Sequence, residues 1–304
     1  TIEITAQENN WVTIESGKSR FRVVTLPPEE YPTPPALDAE VTFSIEPALF
    51  AALIRRTLFA AGENDARYIL NGLLIQLQNG QGKKRMIRFV ATDGHRLALA
   101  EGPLEASKDQ DGATHVGGPT QEQQVIVPKK AILEIKKALE EGGRDDEKAG
   151  ERERPELSIS KNQIFFRKGA LILTSRLMEG NYPNYQQVIP VGNDKKVTVH
   201  RESLEGGLRR VALLAREKTN AIKFQLEKDQ ILLSSSNPDI GEANEEIETS
   251  FKGEGFATGF NARYLLDVLS AVEGSEATLE FKDALSPCLI QEEGFLSVIM
   301  PMRV

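Results

Sequence analysis

Apolar and polar residues follow one another along this chain in an order that recurs: a short alternating strand, an amphipathic helix, and three or four more alternating strands. The order is clearest over residues 127–175. Five apolar residues there have helical spacing, namely Ala131, Ile132, Ile135, Ala138 and Leu139. Alternating strands are predicted after them, over 156–160, 163–168 and 170–175. The pattern predicts an α+β fold built from a repeated unit.

Three more copies of this unit are visible. One begins at Val41, with a predicted helix over 46–61 and strands over 70–78, 86–92 and 98–101. Another begins at Val197, with a helix over 202–216 and strands over 221–227 and 230–235. The last has a helix over 260–269 and strands over 277–281, 287–291 and 295–300. If the units pair into modules of two helices and two sheets, these four units make two domains.

The first 25 residues resemble the end of a further unit. They contain alternating strands over 1–5, 11–15 and 20–25 without an opening strand and helix. We therefore expect the intact protein to hold six units in three domains, and this chain to lack most of the first domain. Pro-rich residues 27–35 and residues 191–194 have the composition of linkers. The predicted domains are a remnant over 1–34, a second domain over 35–191 and a third over 192–304.

Composition narrows the class of protein. The 304 residues include a single cysteine, Cys288, so no internal disulfide can form, as expected of a reduced, cytoplasmic protein. No apolar run approaches the ~18 residues of a membrane helix, and the start of the chain has no signal-peptide pattern. The net charge of −8 argues against a protein that coats nucleic acid with its whole surface.

Charge is nevertheless distributed unevenly. Many cations lie on polar positions of the predicted helices: Arg55, Arg56, Lys129, Lys130, Lys136, Lys137, Arg201, Arg209, Arg210 and Arg216. Acidic residues are concentrated in strands and loops, as at 239–248 and 292–293. If the helices share one side of a curved assembly, that side is basic, which suits a protein that surrounds DNA and contacts phosphates without reading bases. The alternative is that these cations only line the solvated face of amphipathic helices.

The segment 91–98 contains the candidate catalytic chemistry. Asp93 and His95 could form a metal pair or an acid/base couple. Only His115 and His200 are available besides, and neither lies beside other ligand types. Glycine pairs occur without the pattern of a phosphate-binding loop. We therefore expect no catalytic residue, no metal and no cofactor, with a hydrolase that uses Asp93 and His95 as the alternative.

Four segments, in this order, are similar to one protein family: 67–72 (RYILNG), 91–98 (ATDGHRLA), 182–185 (YPNY) and 300–303 (MPMR). The chain resembles the bacterial DNA polymerase III beta subunit, the sliding clamp of the replicative polymerase, over essentially its whole length. The resemblance implies the DNA-clamp fold, in which repeated two-helix, two-sheet domains place antiparallel sheets outside and helices along the inner face.

The resemblance also implies a function. Two subunits of three domains each form a head-to-tail ring that encircles duplex DNA and slides along it without catalysis. The ring tethers the DNA polymerase III alpha subunit, the clamp loader and other replication and repair proteins, which dock a short apolar peptide between the second and third domains. A peptide-binding scaffold that does not encircle DNA is the alternative. Because most of its first domain is expected to be missing, we expect this chain to be mainly monomeric.

Three surfaces are implied by the same resemblance. The peptide cleft would be lined by Leu70, Thr92, Gly94, His95, Arg96, Leu97, Pro183, Val188, Val298, Met300, Pro301, Met302 and Arg303. The DNA contacts would be Asn64, Arg67, Tyr68, Lys129 and Lys130. The dimer joint would use Lys18, Arg20, Val23, Leu213, Leu214, Asp239, Glu242 and Glu245. One position departs from the family, because the better-known members carry a basic residue where this chain has Gln187.

Overall fold

A computed structural model describes residues 1–31, 38–79, 85–104, 107–108, 114–115, 122–141, 154–216 and 219–303. Over these residues the strands are β1 (Glu3–Gln7), β2 (Trp11–Ser16), β3 (Ser19–Val24), β4 (Val41–Ser44), β5 (Gly72–Asn79), β6 (Arg85–Thr92), β7 (Arg96–Leu104), β8 (Ser107–Lys108), β9 (Thr114–His115), β10 (Gln123–Pro128), β11 (Glu156–Ile159), β12 (Gln163–Lys168), β13 (Leu171–Arg176), β14 (Lys195–His200), β15 (Ala221–Glu227), β16 (Gln230–Asn237), β17 (Gly241–Glu248), β18 (Phe256–Asn261), β19 (Glu276–Phe281), β20 (Cys288–Glu292) and β21 (Phe295–Ile299). The α-helices are α1 (Pro47–Thr57), α2 (Lys129–Glu141), α3 (Arg201–Ala212) and α4 (Ala262–Ala271). Residues Thr1–Asp38 form one compact unit and Ala39–Val304 form a second.

The first unit is a three-stranded antiparallel sheet in the order β1-β2-β3. Its three strands confirm the strands predicted over the first 25 residues. Among its described residues only Thr13 is buried, so this unit has very little core. The predicted domain boundary at 34/35 lies outside the described residues.

An eight-stranded antiparallel sheet runs through the second unit in the order β10-β5-β6-β7-β21-β20-β19-β14. At its centre β21 pairs with β7, which places Val298 opposite Leu97. Beside them the Ser297 hydroxyl donates to the Leu97 carbonyl at 2.8 Å, so this buried hydroxyl is satisfied. The sheet thus joins segments 200 residues apart and crosses the predicted boundary at 191/192.

Two four-stranded antiparallel sheets have the orders β13-β12-β11-β4 and β17-β16-β15-β18, and β8 and β9 form a short ribbon. In β15, Ile222, Phe224 and Leu226 are buried, whereas Lys223 between them is exposed. This alternation has the period of two that predicted the strand.

The helices of the second unit pack on the sheets around one hydrophobic core. The α1 helix begins after Glu46, whose carboxylate accepts from the Leu49 amide at 2.7 Å, and Pro47 occupies its first turn, where a missing N–H is tolerated. On its buried face the Phe50 ring meets Phe89 edge to face at 6.0 Å. Burying each such ring stabilises the fold by about 2–3 kcal/mol. None of the helices in the described ranges has both the length and the apolarity that crossing a membrane requires.

Several helix bounds differ from the sequence prediction, and α1 ends at Thr57 rather than at 61. Residues 256–261 form β18, and α4 begins at Ala262, because the Asn261 side chain accepts from the amides of Arg263 and Tyr264 and caps the helix. The predicted start at 260 was therefore wrong. The α3 helix ends at Ala212 rather than at 216, and a turn follows it.

The acidic strand β17 was not predicted as a strand. Its sequence, GEANEEIE, contains one buried residue, Ile247. Because β17 lies at the edge of its sheet, it presents almost no apolar face to the core and gives almost no periodic signal.

Arg56 was predicted on the solvated face of its helix, and this was wrong. The residue is 8% exposed, and its guanidinium pairs with Glu273 at 3.3 Å and with Glu292. It also lies over the Phe295 ring at 5.3 Å. A cation held in this way is not available to an external phosphate.

Candidate functional site

A tight turn joins β6 to β7. The Asp93 carboxylate accepts hydrogen bonds from the amides of His95 and Arg96 at 2.9 and 3.0 Å, and Thr92 Oγ1 accepts from the Gly94 amide at 3.1 Å. Gly94 has a φ of +85°, which other residues rarely adopt. Asp93 therefore holds the turn rather than facing His95 as an acid/base partner. No cluster of three or more His, Cys, Asp or Glu side chains that could hold a metal occurs among the described residues.

Beside this turn lies an apolar cleft with a volume of about 190 Å³. Leu70, Leu97 and Val298 are buried and form its floor, whereas Val188 and Met300 are 48% and 40% exposed at its rim. The other lining residues are Arg67, Thr92, Gly94, Arg96, Pro183, Asn184 and Tyr185. The pairing of β7 with β21 thus builds the floor from two distant parts of the chain.

The structure brings most residues of the predicted cleft together and places four elsewhere. Those that line the cavity are Leu70, Thr92, Gly94, Arg96, Leu97, Pro183, Val188, Val298 and Met300. His95 instead lines a neighbouring cavity, where its ring stacks near that of Tyr264 with centroids 6.5 Å apart. Met302 and Arg303 line a third cavity, and Pro301 connects them to Met300. Asn184 and Tyr185 were not assigned to the cleft, although they belong to the recognised segment 182–185.

Two tyrosines hold the wall of the cleft that faces the turn. The Tyr182 hydroxyl accepts from the Thr92 amide at 3.1 Å, and burial raises the pKa of this phenol. The Tyr185 hydroxyl donates to Gln76 Oε1 at 2.8 Å and accepts from Arg88 at 3.1 Å. These bonds fix the wall, so a ligand would not have to order it on binding.

Arg96 connects the cleft to the last part of the chain. Its guanidinium donates to Asp93 at 3.1 Å, to Asp267 on α4 at 2.5 Å and to the Phe59 carbonyl at 2.6 Å. It also lies 4.3 Å from the centroid of the Tyr264 ring. With 10% of its side chain exposed, Arg96 is a nearly buried cation whose donors are well satisfied.

Arg67 was assigned to DNA, and the structure places it at the cleft. Its guanidinium pairs with Asp65 at 2.8 Å and donates to the Asp93 carbonyl at 3.1 Å. The hydrogen bond from Arg67 lowers the pKa of Asp65 to about 2. Arg67 therefore adds a polar edge to the cleft.

The other residues assigned to DNA differ in how free their side chains are. Asn64 and Lys130 are exposed, and Lys130 has no ion pair to another described residue. Tyr68 is exposed, but its hydroxyl donates to the Glu179 carbonyl at 2.7 Å. The Lys129 ammonium is held by Glu63 at 2.9 Å and by the Ala61 carbonyl at 3.1 Å, and its bond lowers the pKa of Glu63.

The residues assigned to a dimer joint lie in both units. In the first, Lys18, Arg20 and Val23 lie in or beside β3, and Arg20 pairs with Glu15 at 3.1 Å. In the second, Leu213 and Leu214 follow α3, and Leu213 is 78% exposed. Asp239 lies in the turn before β17, and Glu242 lies in β17. Glu245 is already paired with Arg210 at 2.6 Å, which lowers the pKa of its carboxyl group.

Comparison with known proteins agrees with this fold. Residues 44–184 match the DNA polymerase III beta subunit central domain, and residues 186–303 match the C-terminal domain of the same subunit. The beta sliding clamp of Caulobacter vibrioides is 36% identical over 294 residues, which are 96% of this chain and 73% of that protein. Crystal structures of the clamps from Caulobacter crescentus and Pseudomonas aeruginosa superpose with TM-scores of 0.84 and 0.82 at 35% and 32% identity, covering 100% of this chain and 76% of each clamp.

These matches, together with the continuous sheet and the apolar cleft, define a DNA clamp. The chain belongs to the DNA polymerase III beta subunit family, the bacterial beta sliding clamps. Sliding clamps are processivity factors of DNA polymerase III and have no catalytic chemistry of their own. The hydrolase alternative is therefore wrong, in agreement with the structural use of Asp93.

Proposed function

We propose that the cleft binds a short apolar peptide of the replication proteins that the clamp tethers, such as the DNA polymerase III alpha subunit and the clamp loader. The observation that carries this proposal is the buried apolar floor of Leu70, Leu97 and Val298 below an exposed rim. A crystal structure of the Pseudomonas aeruginosa clamp holds griselimycin, so that relative binds a ligand of its own.

The volume of the cleft, about 190 Å³, and its apolar floor suit one or two apolar side chains. Each leucine or phenylalanine side chain buried there contributes about 1.5–3 kcal/mol, and part of this gain is offset by the entropy lost on binding. Arg67, Thr92 and Asn184 offer polar groups at the edge for the peptide backbone. We expect a dissociation constant on the order of micromolar.

A titration with a fluorescent Gln-Leu-Ser-Leu-Phe peptide tests the cleft. Val188→Asp places a carboxylate at the apolar rim, and we expect it to weaken binding by at least roughly ten-fold. Val191→Asp is the matched control, because Val191 is 84% exposed and does not line the cleft. Equal losses in both variants, or no binding by the unsubstituted chain, would overturn the proposal.

We also propose that exposed cations on and beside the helices contact the phosphates of encircled duplex DNA in the cytoplasm. Lys130 is exposed, as is the uncharged Asn64, whereas Lys129 is held by Glu63. Lys130→Glu should weaken binding of a short duplex at low salt and reduce the slope of log affinity against log salt by about one. Lys228→Glu, in the turn between β15 and β16, should leave both unchanged.

For the head-to-tail joint we propose that β3 of one copy pairs with β17 of another. Both β3 and β21 close a unit and follow a glycine with positive φ, Gly17 and Gly294. By the repeat, β17 corresponds to β7, the strand that β21 pairs with. Both β3 and β17 are edge strands. The arginines of β3 are opposite in charge to the glutamates of β17.

A further inference from the structure

A further cavity is lined by residues from the last part of the chain, among them Met302 and Arg303, which follow Met300 of the cleft closely in sequence. It has a volume of about 810 Å³. Three cations line it: Arg216 from the loop after α3, Lys223 from β15 and Arg303 from the final segment. We call this cavity the tail groove. Hydroxyl groups of Ser234 and Ser236 lie among these cations.

Among the described residues that line the tail groove, positive charge exceeds negative charge. Arg216, Lys223 and Arg303 have no ion pair or side-chain hydrogen bond to another described residue. Glu242 is the one carboxylate among the described lining residues, and it accepts from Ser236 at 3.4 Å. In a chain with a net charge of −8, three cations around one cavity, none paired with a described residue, fit an anionic ligand.

The segment 300–303 links the cleft to the tail groove, because its first residue lines one cavity and its last two line the other. The Met300 amide donates to the His95 carbonyl at 2.9 Å, and the Met302 amide donates to the Gly259 carbonyl at 2.8 Å. Met300 lines the cleft, whereas Met302 and Arg303 line the tail groove. Three residues of an extended peptide span at most roughly 10 Å, which is also the greatest length of the segment from Met300 to Arg303. About three flanking residues are therefore the length to test.

We propose that the tail groove binds a carboxylate-bearing flank of the same partner peptide whose apolar residues occupy the cleft. The inference rests on the proposed function of the cleft. Charge complementarity and continuity with the cleft identify this occupant. DNA is the less suitable anion, because Lys223 lies on the sheet face opposite to Phe224, which faces the helices and the core.

The test compares fluorescent Gln-Leu-Ser-Leu-Phe peptides that carry about three extra residues at one end, either Glu-Asp-Glu or the neutral Gln-Asn-Gln. When the flank is at the end of the peptide that lies towards the tail groove, the acidic flank should bind roughly three- to ten-fold more tightly than the neutral flank at low salt. The gain is modest because each exposed ion pair contributes little. High salt should remove most of this gain. The double variant Arg216→Gln, Lys223→Gln should remove it as well, whereas Lys228→Gln should keep it.

Each possible result decides the question. Equal affinity for acidic and neutral flanks at both ends, with the unflanked peptide still bound, overturns the tail groove and leaves the cleft proposal intact. No binding of the unflanked peptide overturns both. A gain that survives the double variant places the flank elsewhere and overturns the proposal. If a short DNA duplex removes the gain from the acidic flank but leaves the unflanked peptide bound, the groove is a phosphate site instead. Salt dependence in the unsubstituted chain provides a test that does not depend on the folding of any variant.

Discussion

At the scale of single residues, Arg96 links the cleft to the rest of the second unit. It lines the cleft and also bonds to Asp267 and the Phe59 carbonyl, so one guanidinium supports both the site and the packing of α4. A planar guanidinium can satisfy three acceptors at once, which a lysine ammonium on a flexible stem cannot do in the same geometry.

We predict that Arg96→Lys lowers the free energy of unfolding by about 2–3 kcal/mol, because one lysine ammonium cannot bond at the same time to the carboxylates of Asp93 and Asp267, which are 16% and 31% exposed. Arg167→Lys is the control. Arg167 pairs with Glu156 at 3.2 Å but is 58% exposed, and its substitution should change stability by less than about 0.5 kcal/mol. Urea unfolding of both variants measures the difference, and similar losses would contradict a special role for Arg96.

The residues of the cleft were predictable only in part. The segment 91–98 could be recognised because its turn requires Asp93 and Gly94 in a fixed order. Asp267 and the Phe59 carbonyl could not be assigned to Arg96, because α4 approaches the turn only through tertiary packing and no local pattern encodes that contact. His95 was assigned to the cleft from its place in the motif, but its side chain lines the neighbouring cavity.

At the scale of elements, the pairing of β21 with β7 depends on the turn before β21. Gly294 has a φ of +68°, and its carbonyl accepts from the Glu101 amide at 2.9 Å. A Cβ at this position would lie 2.8 Å from the Glu101 carbonyl oxygen, which is backbone and cannot rotate away. The turn therefore requires glycine for its conformation and for its close approach to β7.

We predict that Gly294→Ala destabilises the fold by at least about 1 kcal/mol more than Gly192→Ala. Gly192 also has a positive φ, +76°, but an added Cβ would meet nothing within 4 Å, so its substitution isolates the backbone strain. Thermal and urea unfolding of the two variants give the comparison. Equal destabilisation would show that the contact with Glu101 contributes nothing.

Periodicity predicted the buried elements well, because strands such as β15 alternate strictly and helices such as α1 bury a stripe. It failed at β17, where a solvated edge strand needs few apolar residues. It also misplaced the start of α4, because the apolar pattern runs from β18 into the helix and only the Asn261 cap separates them.

At the scale of the whole molecule, the first unit limits how strongly two copies can associate. All residues of β3 are exposed, and Thr13 is the one buried residue among those described in this unit. A joint between β3 and β17 would therefore rest on edge hydrogen bonds and exposed charges, with little apolar area to stabilise it. We predict that sedimentation velocity at micromolar concentration shows mainly single chains, and a stable dimer there would contradict this expectation.

The central claim is that partner peptides bind in the cleft whose floor contains Leu97 and Val298, and the four methionines of the chain allow a direct test. Labelling their ε-methyl groups with ¹³C gives one signal each for Met86, Met178, Met300 and Met302, and Met300→Leu identifies the signal from the rim. On titration with the Gln-Leu-Ser-Leu-Phe peptide, we expect the Met300 methyl to shift most and the Met86 methyl, on β6, to stay in place. An unchanged Met300 signal at saturating peptide would contradict the account.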